Sequence, residues 1–121
     1  MRKSISLLFV LLLSVSAFAQ DDPKPSGKLT RVETKMVCMV NERNMGKEQI
    51  PVEIDGRIYY GCCEMCKKAL AVDPTKRVAK DPVSGKQVDK STAVIAAQEN
   101  GQVFYFENEE SLAKYNKQFE K

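Results

Sequence analysis

The stretch Tyr59-Tyr60-Gly61-Cys62-Cys63-Glu64-Met65-Cys66 constrains this chain more than any other. It holds three of the four cysteines, and the fourth, Cys38, lies upstream. A strand-like run (Arg57 to Tyr60) passes through Gly61 into a helix-like run (Glu64 to Leu70). Cys62 therefore belongs at a strand-to-helix corner, and Cys66 one turn into the helix. The N-terminal end of a helix, with its unsatisfied N–H groups and positive dipole end, favours thiolate. Thiolate is the form of cysteine that binds metal.

What surrounds this stretch limits its chemistry. The chain contains no His and no Trp. A Ser-His-Asp or Cys-His catalytic pair is thus impossible within it. No carboxylate pair stands at an evident catalytic spacing, and the chain has little bulk for a deep substrate pocket. The expectation is a protein that is not an enzyme. Any metal has to be held by Cys, Met, carboxylate or backbone.

The first 19 residues have the form of a signal peptide. Arg2 and Lys3 make a basic start, Ile5 to Val15 an apolar core, and Ala17-Phe18-Ala19 a small-residue cleavage site. The apolar core is short for a membrane span. The mature chain is thus expected to be exported, periplasmic or secreted, without a membrane span. Loss of Arg2 and Lys3 leaves one more basic than acidic side chain, with the lysines spread along the chain. Nothing in that balance points to nucleic acid.

Residues 20–34 are polar, with two prolines, a glycine and no apolar period, and read as a flexible leader. Lys35 to Val40 is a short apolar run carrying Cys38 between Met36 and Met39. A polar loop over residues 41–49 follows. Ile50 to Ile54 and Arg57 to Tyr60 are strand-like runs around Asp55-Gly56, the strongest short signal for a hairpin. The helix after them runs from about Cys63 towards Ala71, and Asp73-Pro74 ends it.

The second half repeats this plan. Asp55-Gly56-Arg57-Ile58-Tyr59-Tyr60 aligns without gaps on Asn100-Gly101-Gln102-Val103-Phe104-Tyr105. Thr92 to Ala97 supplies the preceding strand, and Asn108 an N-cap for a helix with Leu112, Tyr115 and Phe119 on one face. With one residue gapped, Val37-Cys38 falls on Val83-Ser84. Carried through, Cys38 maps to Ser84, Cys62 to Glu107 and Cys66 to Ser111. The fold class expected is α+β: two small tandem ββα units over residues 35–75 and 76–121, the second without cysteines. Phe104, Tyr105, Phe106, Leu112, Tyr115 and Phe119 are expected to build the second unit's own core and a contact with the first.

Three readings of the cysteines follow from the residues. A hairpin between Cys38 and Cys62, with a helix after, looks like a treble-clef zinc-finger layout, in which thiolates converge on one ion. Cys63 is then a fourth ligand, a resolving thiol or a passive neighbour. Alternatively, four cysteines in an exported chain are two disulfides, Cys38 with one of Cys62 and Cys63, and Cys66 with the other; that describes an envelope interaction module with no metal role. Finally, Cys63-Glu64-Met65-Cys66 is a C-x-x-C at a helix start, but without the βαβ context of a thiol oxidoreductase. Without His, a thiolate site suits Zn(II) or Cu(I), and Met36, Met39, Met45 and Met65, all in the first unit, favour Cu(I).

Cys38, Tyr59-Tyr60-Gly61-Cys62 and Cys66 together resemble the TRASH domain, a family associated with heavy-metal trafficking, resistance and sensing. Asp81-Pro82-Val83-Ser84-Gly85 and Phe104-Tyr105-Phe106 resemble the related YHS domain, which usually has Cys where Ser84 stands. The resemblance implies metal ligands at Cys38, Cys62 and Cys66, and a metal-handling role; an envelope metal transporter or chaperone is the partner expected of such a role.

Overall fold

A computed structural model describes residues 24–119. The expected signal peptide lies outside the described residues. Two helices and several small antiparallel sheets make a mixed α and β fold. No helix among the described residues is long and apolar enough to cross a membrane.

Strand β1 (Thr30–Arg31) comes first, and the pair β2 (Val37–Cys38) and β3 (Arg43–Asn44) follows. The loop expected over residues 41–49 thus contains a short strand. β4 (Ile50–Ile54) and β5 (Arg57–Gly61) then form a hairpin with Ile54 opposite Arg57. Only Asp55 and Gly56 lie between them, both with positive φ, 51° and 77°. That is the two-residue turn whose twist matches the strands it joins. Helix α1 (Glu64–Val72) follows, and Asp73-Pro74 ends it as expected.

The order of short pair, hairpin and helix then recurs. β6 (Val78–Lys80) pairs with β7 (Gln87–Asp89), β8 (Val94–Ala97) with β9 (Val103–Phe106), and α2 (Glu109–Lys117) closes the chain. The Asn108 side chain accepts from the Ser111 N–H at 2.8 Å, the N-cap its position suggests.

β9 explains how the halves join. All four of its residues are buried, because both of its faces are covered. Val103 and Tyr105 face a core shared with Val37, Met39, Val52, Tyr59 and Leu70 of the first half. Phe104 and Phe106 face Leu29, Leu112 and Tyr115. The aromatics therefore do build both a local core and a contact with the first half. Phe119 differs from expectation: it lies past the end of α2, 42% exposed, with its ring 5.5 Å from that of Tyr115.

The leader needs correction. From Ser26 onward it is packed, not free. β1 adds a third strand to the second sheet, pairing Thr30 with Ala97 and Arg31 with Ala96. Leu29 is 2% exposed in the core under α2, its N–H bonded to Asn116 Oδ1 at 2.9 Å. The Tyr115 hydroxyl donates to the Gly27 carbonyl at 2.8 Å. Leu29, half-buried Val32 and an unpaired sheet edge order this polar segment. Leu29→Ala should accordingly cost about 3 kcal/mol, as for a buried leucine. A urea midpoint unchanged by that substitution would return the segment to the status of a tether.

Candidate metal centre

The local sequence explains how the thiols meet. Cys38 ends β2, and the next residues turn back so that Glu42 N–H donates to the Cys38 carbonyl at 2.9 Å. The Met39 N–H donates to the Tyr60 carbonyl at 3.0 Å, which fastens this turn to the end of β5. Cys62 follows β5 directly, Cys63 is the N-cap of α1, and Cys66 lies in its first turn. The close approach depends on Gly61, because a Cβ there would stand 2.9 Å from Cys66 Cβ. Any larger residue would push the helix, and Cys66 with it, off the strand.

The Sγ atoms of Cys38, Cys62 and Cys66 all lie within 4.8 Å of one another. Cys66 is the hub, 3.8 Å from Cys38, 3.5 Å from Cys62 and 3.7 Å from Cys63. Thiolates about 2.3 Å from a tetrahedral ion stand about 3.8 Å apart. The cluster of three cysteines could therefore hold a metal ion with little movement of sulfur. Cys63 touches Cys66 but is not one of the three sulfurs that mutually converge. It is exposed, whereas Cys38 and Cys66 are buried and Cys62 half-buried. All four are free thiols.

The thiols differ in how readily they ionise. Burial works against Cys38, but N–H groups of Asn41, Val40 and Cys62 outweigh it and lower its pKa. Cys63 is also lowered, first by the Cys66 N–H, as its place at the helix N-terminus leads one to expect. The same expectation does not hold for Cys66, which burial and then its three sulfur neighbours push up to about 12. Cys62 is raised as well: its bond with Cys66 favours ionisation, but Cys38 and burial outweigh it. An ion entering this site has to displace protons.

Sequence reasoning missed two contributors. Asn41 points its backbone N–H at Cys38 Sγ (3.5 Å) and its side-chain amide at Cys62 Sγ (3.4 Å). Nothing in a polar loop distinguishes this asparagine beforehand. Gly61 was visible as a corner, but not as the residue that admits Cys66. The methionines are dispersed: Met39 is buried with Sδ 3.5 Å from the Tyr60 N–H, and Met65 is 81% exposed.

The repeat is best read at the corresponding place in the second half, and it corrects the alignment. In the first half the Asn41 and Glu42 N–H groups turn back on Cys38, and Glu42 has φ 57°. In the second, the Ser84 and Gly85 N–H groups turn back on Asp81, and Gly85 has φ 72°. Asp81, not Ser84, is thus the counterpart of Cys38. The equivalents of Cys62 and Cys66 are Glu107 and Ser111 as aligned, and both meet Asp81: its Oδ2 accepts from the Glu107 N–H (2.8 Å) and the Ser111 hydroxyl (2.6 Å). Hydrogen bonds to one carboxylate join the elements that three sulfurs bring together in the first half.

No family model matches the chain, and neither does any curated protein or solved structure.

Proposed function

We propose that this chain is an exported heavy-metal-binding protein that holds one soft or borderline ion, Cu(I) or Zn(II), for trafficking, sequestration or resistance. Its ligands are Cys38, Cys62 and Cys66, with Cys63 as the fourth. In this reading the two halves are tandem ββα units of treble-clef type, related to TRASH and YHS domains, the second serving as support. The role is binding, not catalysis, and the partner is a metal transporter or chaperone of the cell envelope.

One observation carries the proposal: three cysteine sulfurs from separate elements converge at metal-ligand spacing. Burial of Cys38 and Cys66 gives an ion a water-poor seat, while half-buried Cys62 and exposed Cys63 leave an entrance. An all-sulfur donor set suits both candidate ions, and the softer Cu(I) gains more from it.

Titration of the reduced protein with each ion, against a chromophoric chelator, tests this. One equivalent should bind, Cu(I) should displace Zn(II), and Cys63→Ser should retain weakened binding. Failure of both ions to bind, with oxidised protein showing two internal disulfides, would leave the disulfide-stabilised module as the better account.

A further inference from the structure

Lys90 follows β7 in the second half and is 3% exposed. A buried ammonium is costly unless it is paired and hydrogen-bonded. The partners of this one belong to the turn that presents Cys38. Its Nζ donates to the Met39 carbonyl at 2.7 Å and pairs with the Glu42 carboxylate. It also stands 5.1 Å from the centre of the Tyr105 ring. Met39 and Glu42 lie at either end of the reversal that follows Cys38.

Two further features place this contact under load. Glu42 is left-handed at φ 57°, a conformation that costs a glutamate energy and has to be held from outside. The second half holds it twice, through Lys90 and through the Val103 N–H, which donates to the Glu42 carbonyl at 2.9 Å. The Tyr105 hydroxyl is buried beside this turn, with the Glu42 carboxylate as its polar neighbour. Burial, then the neighbouring Glu42 carboxylate, push its pKa well above the usual tyrosine value.

Charge gives the arrangement its direction. Three thiolates around a divalent ion carry one net negative charge, and around a monovalent ion two; a fourth from Cys63 adds one more to each. The thiol form carries none. Within a protein, a fixed cation close to that charge stabilises the loaded form over the empty one. We propose that Lys90 is a positioning residue for the thiolate site: it fixes the turn that presents Cys38, and its positive charge, partly offset by Glu42, lies against the residue that follows Cys38 and favours the loaded cluster. The second half is then a working part of the metal centre. This rests on the metal reading above.

The test compares wild type, Lys90→Met, Lys90→Arg and Glu42→Gln in competition titrations with Zn(II) and Cu(I), alongside amide exchange of Asn41 and Glu42 in metal-free protein. Lys90→Met should bind about 10- to 100-fold more weakly, the range for lost outer-shell partners, with the larger loss for Cu(I). Lys90→Arg should recover part of it. Glu42→Gln removes a negative charge while keeping the lysine, so it should bind more tightly; it decides the charge claim if Lys90→Met does not fold. Faster exchange at Asn41 and Glu42 in folded Lys90→Met would support the positioning claim. Affinity within twofold of wild type for both Lys90→Met and Glu42→Gln, with exchange unchanged, would overturn the proposal. Were wild type itself to bind no metal, the metal reading would fall and the charge claim with it; the exchange measurement would still decide the positioning claim.

Discussion

Cys66→Ser should reduce metal affinity more than any other single substitution in the chain, by roughly a hundred- to a thousandfold. Apparent binding energies of about 10–16 kcal/mol for structural zinc at neutral pH, shared over three or four ligands, assign each about 2.5–5 kcal/mol, with the middle of that range near 3–4. Each 1.4 kcal/mol is about tenfold in affinity. Cys66 belongs at the top of that range because its Sγ contacts all three other sulfurs. A serine there keeps the volume but supplies no thiolate. Cys63→Ser should lose much less, since exposed Cys63 lies against Cys66 and outside the set of three. Competition against a chelator of known affinity gives both values. Equal losses at positions 63 and 66 would mean that the hub is misplaced.

Asp81→Asn should be the most destabilising conservative substitution outside the cysteines, by about 3–5 kcal/mol. Domains of this size are stable by only about 5–15 kcal/mol. Asp81 is 1% exposed and accepts four hydrogen bonds. The Val83 and Ser84 N–H groups share Oδ1, and the Glu107 N–H and Ser111 hydroxyl share Oδ2. An asparagine offers one oxygen, and its NH2 group would confront at least one backbone N–H, that of Glu107, or both of those from Val83 and Ser84. The same geometry sets a pH dependence. Burial opposes ionisation of Asp81, but its donors, led by Ser111, outweigh this and hold its carboxyl below the usual value. A lowered folded pKa contributes stability that is fully present above the unfolded value, about 3.9, and is lost as pH falls through the folded value. Asp89, lowered in the same sense by Ser91, Tyr59 and Arg57 against its burial, adds to this limb. Urea midpoints of wild type and Asp81→Asn should therefore differ widely at pH 7 and converge as pH falls below 4. A constant difference across that range would place the loss in packing and not in the carboxylate.

Particular residues show which parts of this fold were legible beforehand. Asp55-Gly56 declares its hairpin because two consecutive left-handed residues are needed there and few other pairs supply them. Phe104, Tyr105 and Phe106 are expected in a local core and in a contact with the first half, and alternation along β9 places them in both. Cys62 and Cys66 declare their proximity because a strand-to-helix corner places them one helical turn apart. Leu29 was not legible: with only Val32 beside it the segment shows no apolar period, and its burial depends on an edge offered by β8 far along the chain. The Asp81 equivalence was hidden because similarity drew Val83-Ser84 onto Val37-Cys38, whereas the turn matches through backbone bonds and a left-handed residue. Lys90 resembled any surface lysine, since its partners come from the other half.

Cysteine sulfur from Cys38, Cys62 and Cys66 should surround a single bound ion. X-ray absorption at the metal edge, on protein loaded with one equivalent of Zn(II) under reducing conditions, tests it most directly. The loaded protein should show a shell of three to four sulfurs at about 2.3 Å, reduced by one in Cys66→Ser. A shell of oxygen or nitrogen neighbours at about 2.0–2.2 Å, unchanged by that substitution, would contradict it.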